Sequence, residues 1–459
     1  MSTRTPRRAP EPAARRSGPG SRGGYAVGDA RRRRIIEVAI GHFADRGYHA
    51  SSLARIAEEA GITQAGVLHH FRSKEGLMLA VLGHRDELAG EREFRGEPPA
   101  GVETLRRLLR LVEFNTTQPG LLRMFTTLAG EAADPDHPAH AYFAERYAWT
   151  AGQTESSLRA GVARGELREG IACRELAREI IAVMDGLQIQ WCLRPGSVDM
   201  VAQFAAYADR LARSITVDGS GLDAPAAPGE EPPAAAPAGA ARPQGRAAGG
   251  RGVPADERAA DERSRGRREE ILLAALDVFA ERGFRGASLA AVAERAGLSQ
   301  QGLLHYFPSK ERLLIGMLDL RERIDALRLL ADGTAPPRLE QITQLAEYNA
   351  GRPGVVQAFT VLSAESVTED HPAREYFVER YARMRERVEE SLRAELGDRL
   401  PGGLSPRDAA ALLLAVQDGA QLQWLLDPDE VDLPGLVAAF ARLLREDDAR
   451  SRAPRNPCA

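Results

Sequence analysis

The sequence predicts an all-α protein built from two tandem copies of one unit. Two observations support this prediction. Alanine, leucine, arginine and glutamate dominate the chain, while aromatic residues make up only 5% of it, and this composition favours helices over strands. In addition, residues 31–82 align without a gap on residues 267–318, and roughly half of the aligned positions are identical.

The repeat continues beyond these two segments. Three further pairs correspond in order along the chain: EFNTTQPG (113–120) with EYNAGRPG (347–354), DHPAHAYFAERY (136–147) with DHPAREYFVERY (370–381), and DGLQIQW (185–191) with DGAQLQW (418–424). The repeating unit is therefore a whole domain of about 190 residues rather than the short repeat of a solenoid.

The first unit opens with a predicted series of short helices. Apolar residues recur at helical spacing up to Gly47, the expected C-cap of the first helix. Ser52 is the expected N-cap of a second helix, Gly61 makes the turn after it, and a third helix is expected over 63–71. Ser73 is expected to begin a longer fourth helix. The second unit repeats this order, and longer amphipathic helices follow in both units.

Two short helices joined at a glycine are typical of a helix-turn-helix, and this pattern occurs at 51–71 and again at 287–307. Small Ala57 and Ala60 let the two helices of the first motif cross closely. The second helix then presents outward side chains that can reach the floor of a DNA major groove, namely Gln64, Ala65, His69 and His70.

Ser-Lys-Glu follows each motif, at 73–75 and at 309–311. The serine is expected to cap the next helix, whose N-terminal amide groups suit a phosphate, and the lysine adds a positive charge. Lys74 and Lys310 are the only lysines in the chain. Their retention at equivalent positions favours a function, and shared descent from a recent duplication is the alternative.

These motifs together resemble the TetR family of transcriptional regulators. The resemblance is carried by Phe-x-x-x-Gly at the end of the first helix, by Ile-Ala-x-x-Ala-Gly in the second, and by His-His/Tyr-Phe-x-Ser-Lys-Glu. It implies a three-helix DNA-binding domain followed by a larger helical domain for dimerisation and effector binding. It also implies a double-stranded DNA operator and a small-molecule effector that releases a repressor. The fusion of two units departs from the family's usual single unit.

By motif position, the resemblance implies DNA contacts in both units. The expected contacts are Ser52, Gln64, Ala65, Gly66, His69, His70 and Lys74, with Ser288, Gln300, Gln301, Gly302, His305, Tyr306 and Lys310 in the second unit. Glutamine can pair bidentately with adenine, whereas alanine only touches a thymine methyl group. Because Ala65 corresponds to Gln301, and His70 to Tyr306, we expect the operator to be an imperfect palindrome.

The expected domain organisation follows from these motifs and from composition. The segment 217–266 is rich in alanine, proline and glycine and shows no apolar periodicity, so it is expected to be a flexible linker. The expected order is a disordered basic tail (1–25), a DNA-binding domain (26–82), a sensor and dimerisation domain (83–216), the linker (217–266), the second DNA-binding domain (267–318), the second sensor and dimerisation domain (319–447) and a disordered tail (448–459).

The sensor domains contain two long apolar segments, 177–191 and 409–424, which are expected to be buried interface helices. A linker of about 50 residues lets the two units of one chain pair as an intramolecular pseudo-dimer. The alternative is a two-chain assembly with four DNA-binding heads. Four polar and aromatic residues of these helices are candidates for an effector pocket, although core packing is the favoured alternative: Gln188, Trp191, Gln421 and Trp424.

Several other classes of protein are disfavoured by the sequence. No apolar run approaches the roughly 20 residues of a membrane span, and no apolar segment follows the arginine-rich start as in a signal peptide, so a cytoplasmic location is expected. No hydrolase, P-loop, zinc-protease or Cys-x-x-Cys motif occurs. We therefore expect no catalytic residue, no cofactor and no metal site.

An alternative function is that one unit has lost DNA binding and serves as a pairing or sensor module. The segment 251–318 is nearly neutral, whereas the first DNA-binding segment is basic. Since phosphate contacts dominate affinity for DNA, the second unit is the one whose affinity this alternative questions.

Overall fold

The structure, a computed structural model, describes residues 21–93, 98–222, 255–329 and 338–446. Within these ranges the regular elements are helices, apart from one isolated bridge between Leu167 and Thr216. The all-α prediction is confirmed. Most of the expected linker, most of the tail expected over 1–25 and all of the tail expected over 448–459 lie outside the described residues.

The helices of the first unit follow the predicted order. They are α1 (Ser21–Ala50), α2 (Leu53–Glu59), α3 (Gln64–Phe71), α4 (Lys74–Glu93), α5 (Val102–Thr116), α6 (Pro119–Glu131), α7 (His140–Ala163), α8 (Cys173–Leu193) and α9 (Met200–Ile215). None of the described helices of either unit is both long enough and apolar enough to cross a membrane.

The second unit repeats this order, with one short 3₁₀ turn (Pro401–Gly403) before its eighth helix. Its helices are α10 (Ala255–Gly286), α11 (Leu289–Arg295), α12 (Gln300–Tyr306), α13 (Lys310–Leu329), α14 (Leu339–Ala350), α15 (Pro353–Glu365), α16 (Arg374–Leu396), α17 (Pro406–Leu426) and α18 (Leu433–Arg445).

The helix-turn-helix of the first unit forms for the reasons that the sequence suggests. Gly61 has a φ of 71°, a left-handed conformation that glycine adopts without steric cost. Ile56 and Val67 are both fully buried and fix the crossing of α2 and α3. Thr63 begins α3, because its hydroxyl accepts a hydrogen bond from the amide of Gly66 at 3.1 Å.

The structured part of the chain extends into both ends of the segment expected to be a linker. At one end, the amide of Val217 donates to the carbonyl of Glu166 at 3.1 Å, and Leu222 is buried. At the other end, α10 begins at Ala255, before the motif that defined the second unit in the sequence. No apolar pattern marks this segment in the sequence, because the first part of α10 is dominated by charged and small residues.

The two units pack against each other through α8 and α17, the two segments expected to form an interface. A Cβ atom added to Gly186 would lie 2.0 Å from the carbonyl oxygen of Ala415. A Cβ atom added to Gly419 would lie equally close, at 2.0 Å, to the carbonyl oxygen of Ala182. These two contacts are equivalent, so the helices cross at van der Waals distance around a pseudo-two-fold axis.

Polar contacts repeat the same symmetry. The Nε2 atom of Gln190 donates to the carbonyl of Ala411 at 3.0 Å, and that of Gln423 donates to the carbonyl of Arg178 at 2.9 Å. All four residues lie on α8 or α17, and both glutamines are buried. The interface is thus an isologous one, formed within a single chain by two similar but non-identical units.

Candidate functional site

The outward face of α3 carries the predicted DNA contacts of the first unit. Gln64, Ala65 and His69 are exposed, whereas Gly66 and His70 are half-buried. The buried Val67 turns this face away from the core, since it fills the opposite side of the helix. The exposed set is one that a short recognition helix can present to the edges of bases.

The recognition helix of the second unit, α12, has the same arrangement with different side chains. Gln300, Gln301 and His305 are exposed, and Gly302 and Tyr306 are half-buried. The hydroxyl of Ser299 caps the helix by accepting a hydrogen bond from the amide of Gly302 at 3.1 Å. The two units therefore present equivalent faces that differ in chemistry at two positions.

The serines that precede the helix-turn-helix motifs differ between the units. Ser288 caps α11, because its hydroxyl accepts a hydrogen bond from the amide of Ala291 at 3.1 Å. Ser52 occupies the equivalent position before α2, but its side chain makes no capping hydrogen bond. Ser52 is half-buried and Ser288 is exposed.

Both lysines hold the fourth helix of their unit against the end of the first helix. The Nζ atom of Lys74 donates to the carbonyl of His49 at 3.1 Å and lies 4.5 Å from the centre of the Tyr48 ring. Lys310 makes a similar pair of contacts in the second unit: its Nζ atom lies 4.4 Å from the centre of the Phe284 ring and donates to the carbonyl of Ala287, which aligns with Ser51 rather than with His49. Both lysines are half-buried, and burial lowers the pKa of each. Sequence reasoning missed this contact, although an aromatic residue follows the capping glycine in both units.

A buried glutamate connects each sensor domain to its DNA-binding domain. The Oε2 atom of Glu131, at the end of α6, accepts a hydrogen bond from the amide of Tyr48 at 2.6 Å. Glu365 at the end of α15 accepts one from the amide of Phe284, also at 2.6 Å. Both carboxyl groups are almost fully buried. Because these amides directly follow Gly47 or Gly283, the non-helical glycine that kinks α1 or α10, each glutamate fixes the direction of the chain at this kink.

The glycine of this turn leaves space for the carboxyl group. Gly47 has a φ of 67° and Gly283 has a φ of 63°, and a Cβ atom on either would lie 2.2 Å from the Oε1 atom of its glutamate. The expected C-cap at Gly47 therefore also has a role in tertiary packing.

The electrostatics of this junction favour neutral side chains. Burial, with the neighbouring carboxyl group of Glu365 as a second cause, raises the pKa of Glu131 to about 8. Burial lowers the pKa of His137 to about 3. Although the two side chains are 3.7 Å apart, at neutral pH they form a contact between a carboxylic acid and a neutral imidazole rather than an ion pair.

A cavity of about 200 Å³ lies in the sensor domain of the first unit. Arg85 and Arg146 line it and share the carboxylate of Asp86, at 3.0 and 3.1 Å. Asp185 and Gln188 contribute further polar groups, and burial raises the pKa of Asp185 to about 6. The apolar lining is formed mainly by Leu108, Leu111, Val112, Trp149, Ile181 and Met184.

The four candidate effector residues have different surroundings. Gln188 lines the cavity, and its Nε2 atom donates to the hydroxyl of Thr126 at 2.7 Å. Trp191 and Trp424 are half-buried against the core, and Trp191 is not among the residues that line this cavity. Gln421 is buried in α17. Most of the other lining residues come from α4, α5 and α7, with Phe125 from α6 and Met200 from α9, and the apolar pattern of α8 did not indicate them.

The equivalent region of the second unit has different side chains. Arg383 stands where the first unit has Trp149, and Met384 stands where it has Thr150. Arg383 approaches the carboxylate of Glu322 at 3.3 Å, and Met384 packs against the core. A charged group and a larger apolar group therefore occupy positions that border the cavity in the first unit.

Exposed recognition helices on a helical core define a class of DNA-binding regulators, and comparison with known sequences identifies the family. The profile described as "Bacterial regulatory proteins, tetR family" matches residues 35–81 and 271–317. The profile described as "BetI-type transcriptional repressor, C-terminal" matches residues 103–215 and 338–448. Together they cover more than half of the chain. The protein belongs to the TetR family of transcriptional regulators and contains two TetR-type units in tandem.

Two curated relatives agree with this assignment. The HTH-type transcriptional regulator RutR of Escherichia coli is 52% identical over 52 residues, which are 11% of this chain and only 24% of the relative. The HTH-type transcriptional repressor KstR2 of Rhodococcus jostii is 30% identical over 193 residues, covering 38% of this chain and 86% of the relative. Among solved structures, NalD, the secondary repressor of the MexAB-OprM multidrug efflux pump of Pseudomonas aeruginosa, matches with 25% identity and a TM-score of 0.31. That match covers 40% of this chain and 99% of NalD.

Proposed function

We propose that this regulator is a cytoplasmic repressor whose two DNA-binding domains pair within one chain and bind a single operator. The observation that carries the proposal is the reciprocal packing of α8 and α17, which pairs two complete TetR-type units in one molecule. Each unit exposes a recognition helix, so one chain has the two DNA-binding domains that an operator with two half-sites requires.

The operator is expected to be an imperfect palindrome. Gln64 and Gln300 are both exposed, as are His69 and His305, and these positions read the half-sites alike. The exposed Ala65 and Gln301 read them differently, because only glutamine can pair bidentately with adenine. Selection of bound fragments from random DNA tests this expectation. Two related but unequal half-sites support it, and a perfect palindrome contradicts it.

The effector is proposed to be a small amphipathic molecule bound in the cavity of the first unit. Arg85 and Arg146 offer hydrogen-bond donors at one side, and the aliphatic side chains with Trp149 offer an apolar wall. A thermal-shift screen of amphipathic compounds, followed by release of the operator, tests this site. Trp149→Arg places the second unit's residue at the cavity and should abolish stabilisation by the compound while operator binding persists.

One observation supports the alternative that the second unit has lost DNA binding and serves only as a pairing module. Arg267 of the second unit is engaged by Glu270 and by the carbonyl of Ala296, whereas Arg31–Arg34 of the first unit are exposed. Paired variants in the full chain decide between the two functions. Gln64→Ala with His69→Ala, and Gln300→Ala with His305→Ala, should each weaken operator binding by about tenfold or more. Loss confined to the first pair identifies the second unit as a pairing module.

Light scattering on the intact chain tests the intramolecular pairing. The expected mass is that of one chain, 49.7 kDa. A concentration-independent mass of twice this value indicates pairing between chains.

A further inference from the structure

The two units differ where the end of α9 meets the second unit. Arg210 of α9 is only 1% exposed, and its guanidinium donates to the carbonyl of Leu443 at 2.8 Å and to that of Glu446. The side chain crosses Gly402 at close range, since a Cβ atom on that glycine would lie 2.1 Å from the Nε atom of Arg210. Because the arginine is buried and held at its far end, it cannot swing away to make room.

The residues that the pseudo-two-fold axis relates to Arg210 and Gly402 are of different types. The DGLQIQW and DGAQLQW segments align residues 167–215 with residues 400–448 without a gap. In this alignment Leu443 corresponds to Arg210, and Glu169 corresponds to Gly402. The arginine and the glycine that receives it are therefore on different units, and neither unit has both.

We infer that this contact makes the interface selective for pairing between a first unit and a second unit. It excludes pairing of a first unit with another first unit. The inference rests on the intramolecular pairing proposed above and adds a rule for which units pair. The first unit lacks the turn over which Arg210 lies, because Gly402 has a φ of 80° whereas Glu169 does not have a positive φ. In a first–first pair, each Arg210 would therefore face a residue with a side chain, in a different turn, instead of the glycine that leaves room for it.

A second–second pair is disfavoured for a different reason. Leu443 replaces Arg210 above Gly402, which leaves empty space beside the glycine. The buried carbonyl of Leu443 also loses the guanidinium that donates to it. A buried carbonyl without a donor is costly, so this pair is weaker than the first–second pair.

A second, separate contact has the same asymmetry. The Nη1 atom of Arg385 on α16 donates to the Oε1 atom of Gln190 at 3.1 Å. The first unit has Ala151 at the position of Arg385, and the equivalent Oε1 atom of Gln423 is buried without a hydrogen-bond partner. A first–first pair would lose this hydrogen bond on both sides, so two independent contacts act against the same pairing.

The pairing rule can be tested on the full chain after cutting it between the units. A protease site is inserted within residues 223–254, unlabelled and ¹⁵N-labelled proteins are cut, and the two samples are mixed in mild urea and returned to buffer. Native mass spectrometry should then find only complexes of one first and one second fragment, in labelled and unlabelled combinations. First–first complexes at statistical frequency overturn the rule while leaving pairing intact. Complete separation of the fragments overturns the pairing proposal itself, and the rule with it.

A matched pair of glycine substitutions tests the contact that carries the rule. Gly402→Ala and Gly403→Ala both add a methyl group at a positive φ, 80° and 90°, but only position 402 faces Arg210, and nothing lies within 4 Å of position 403. We expect Gly402→Ala to weaken the association of the cut fragments at least about tenfold more than Gly403→Ala does. Adding Arg210→Leu to Gly402→Ala should recover part of this loss. Equal effects of the two alanines overturn the assignment.

Discussion

The two units of this chain keep the same framework but differ in the surfaces that meet ligands. Both have a buried glutamate that accepts from the amide after the capping glycine, and both use a lysine to hold the fourth helix. In contrast, the sensor region of the first unit contains a cavity bordered by Trp149, and the second unit has Arg383 there. Duplication has therefore preserved the contacts that join the first helix to the rest of each unit, whereas the cavity region and the exposed faces of α3 and α12 have diverged.

The helix crossing at the interface should be equally sensitive to an added methyl group in both units. Gly186→Ala and Gly419→Ala each place a methyl group 2.0 Å from a backbone carbonyl oxygen of the opposite helix. Because a backbone cannot move aside without separating the helices, each variant should lose about 2–3 kcal/mol of unfolding free energy. Urea unfolding of the full chain measures this loss. Gly152→Ala is the control, since a Cβ atom there meets nothing within 4 Å. A loss in only one of the two variants contradicts the pseudo-symmetry.

The junction of the first unit should make stability depend on pH. Burial raises the pKa of Glu131 from its ordinary value of 4.5 to about 8, so the folded chain keeps a proton that the unfolded chain loses, and this lowers stability as the pH rises from 4.5 to 8. His137 has a folded-state pKa of about 3 against 6.5, so it lowers stability as the pH falls below 6.5. The two effects oppose each other between pH 4.5 and 6.5, which leaves a net loss between pH 6.5 and 8.

Glu131→Gln isolates this contribution, because glutamine still accepts from the amide of Tyr48 but does not titrate. Between pH 6.5 and 8 the wild type should lose roughly 1–2 kcal/mol of unfolding free energy, and the variant should not show this loss. Urea unfolding at the two pH values measures the difference. Glu365→Gln removes the neighbouring carboxyl group and should reduce the loss without abolishing it. Identical pH profiles for Glu131→Gln and the wild type contradict this account.

The basic start of α1 should distinguish the two units in their attraction to DNA. Arg33 and Arg34 are exposed and correspond to Glu269 and Glu270. Exchanging both arginines for glutamate should weaken operator binding by about tenfold at low salt and much less at high salt, because phosphate attraction is screened. Titrations at two salt concentrations measure this effect, and the reverse exchange at 269 and 270 should strengthen binding. Unchanged affinity at low salt means that the arginines are only a solvated surface.

The smallest expected difference concerns the two N-cap serines. Ser288→Ala removes a capping hydrogen bond and should cost about 1 kcal/mol, whereas Ser52→Ala removes none and should cost a few tenths. Hydrogen exchange of α2 and α11 in the full chain resolves the two helices separately. If the two alanine variants increase exchange of their helices equally, the capping hydrogen bond of Ser288 contributes nothing.

Much of the fold could be predicted from the sequence because it depends on local patterns. Gly47 and Gly61 adopt the left-handed backbone that their positions suggested, and Val67 is buried as helical spacing requires. The outward positions of Gln64 and His69 follow from the same spacing. Such features involve neighbours a few residues apart, and periodicity describes them directly.

The contacts that join domains could not be found in this way. Glu131 meets Tyr48 across 83 positions of the chain, and the cavity is lined by residues from six helices. One signal was present, since a glutamate ends a largely apolar helix in both units, at 131 and at 365. An ionisable residue repeated at such a position after duplication indicates a tertiary partner, but only the packing of α6 against α1 shows which backbone amide that partner is.

Pairing of two DNA-binding domains within one polypeptide has a consequence for gene dosage. A regulator that must first dimerise fills its operator according to the square of its concentration when it is scarce, whereas a chain that contains both halves fills it in direct proportion. Newly made molecules are then competent one at a time. A damaged copy also cannot capture an intact one, since the interface between α8 and α17 is already satisfied inside each molecule. Loss-of-function alleles of this gene should therefore be recessive rather than dominant negative.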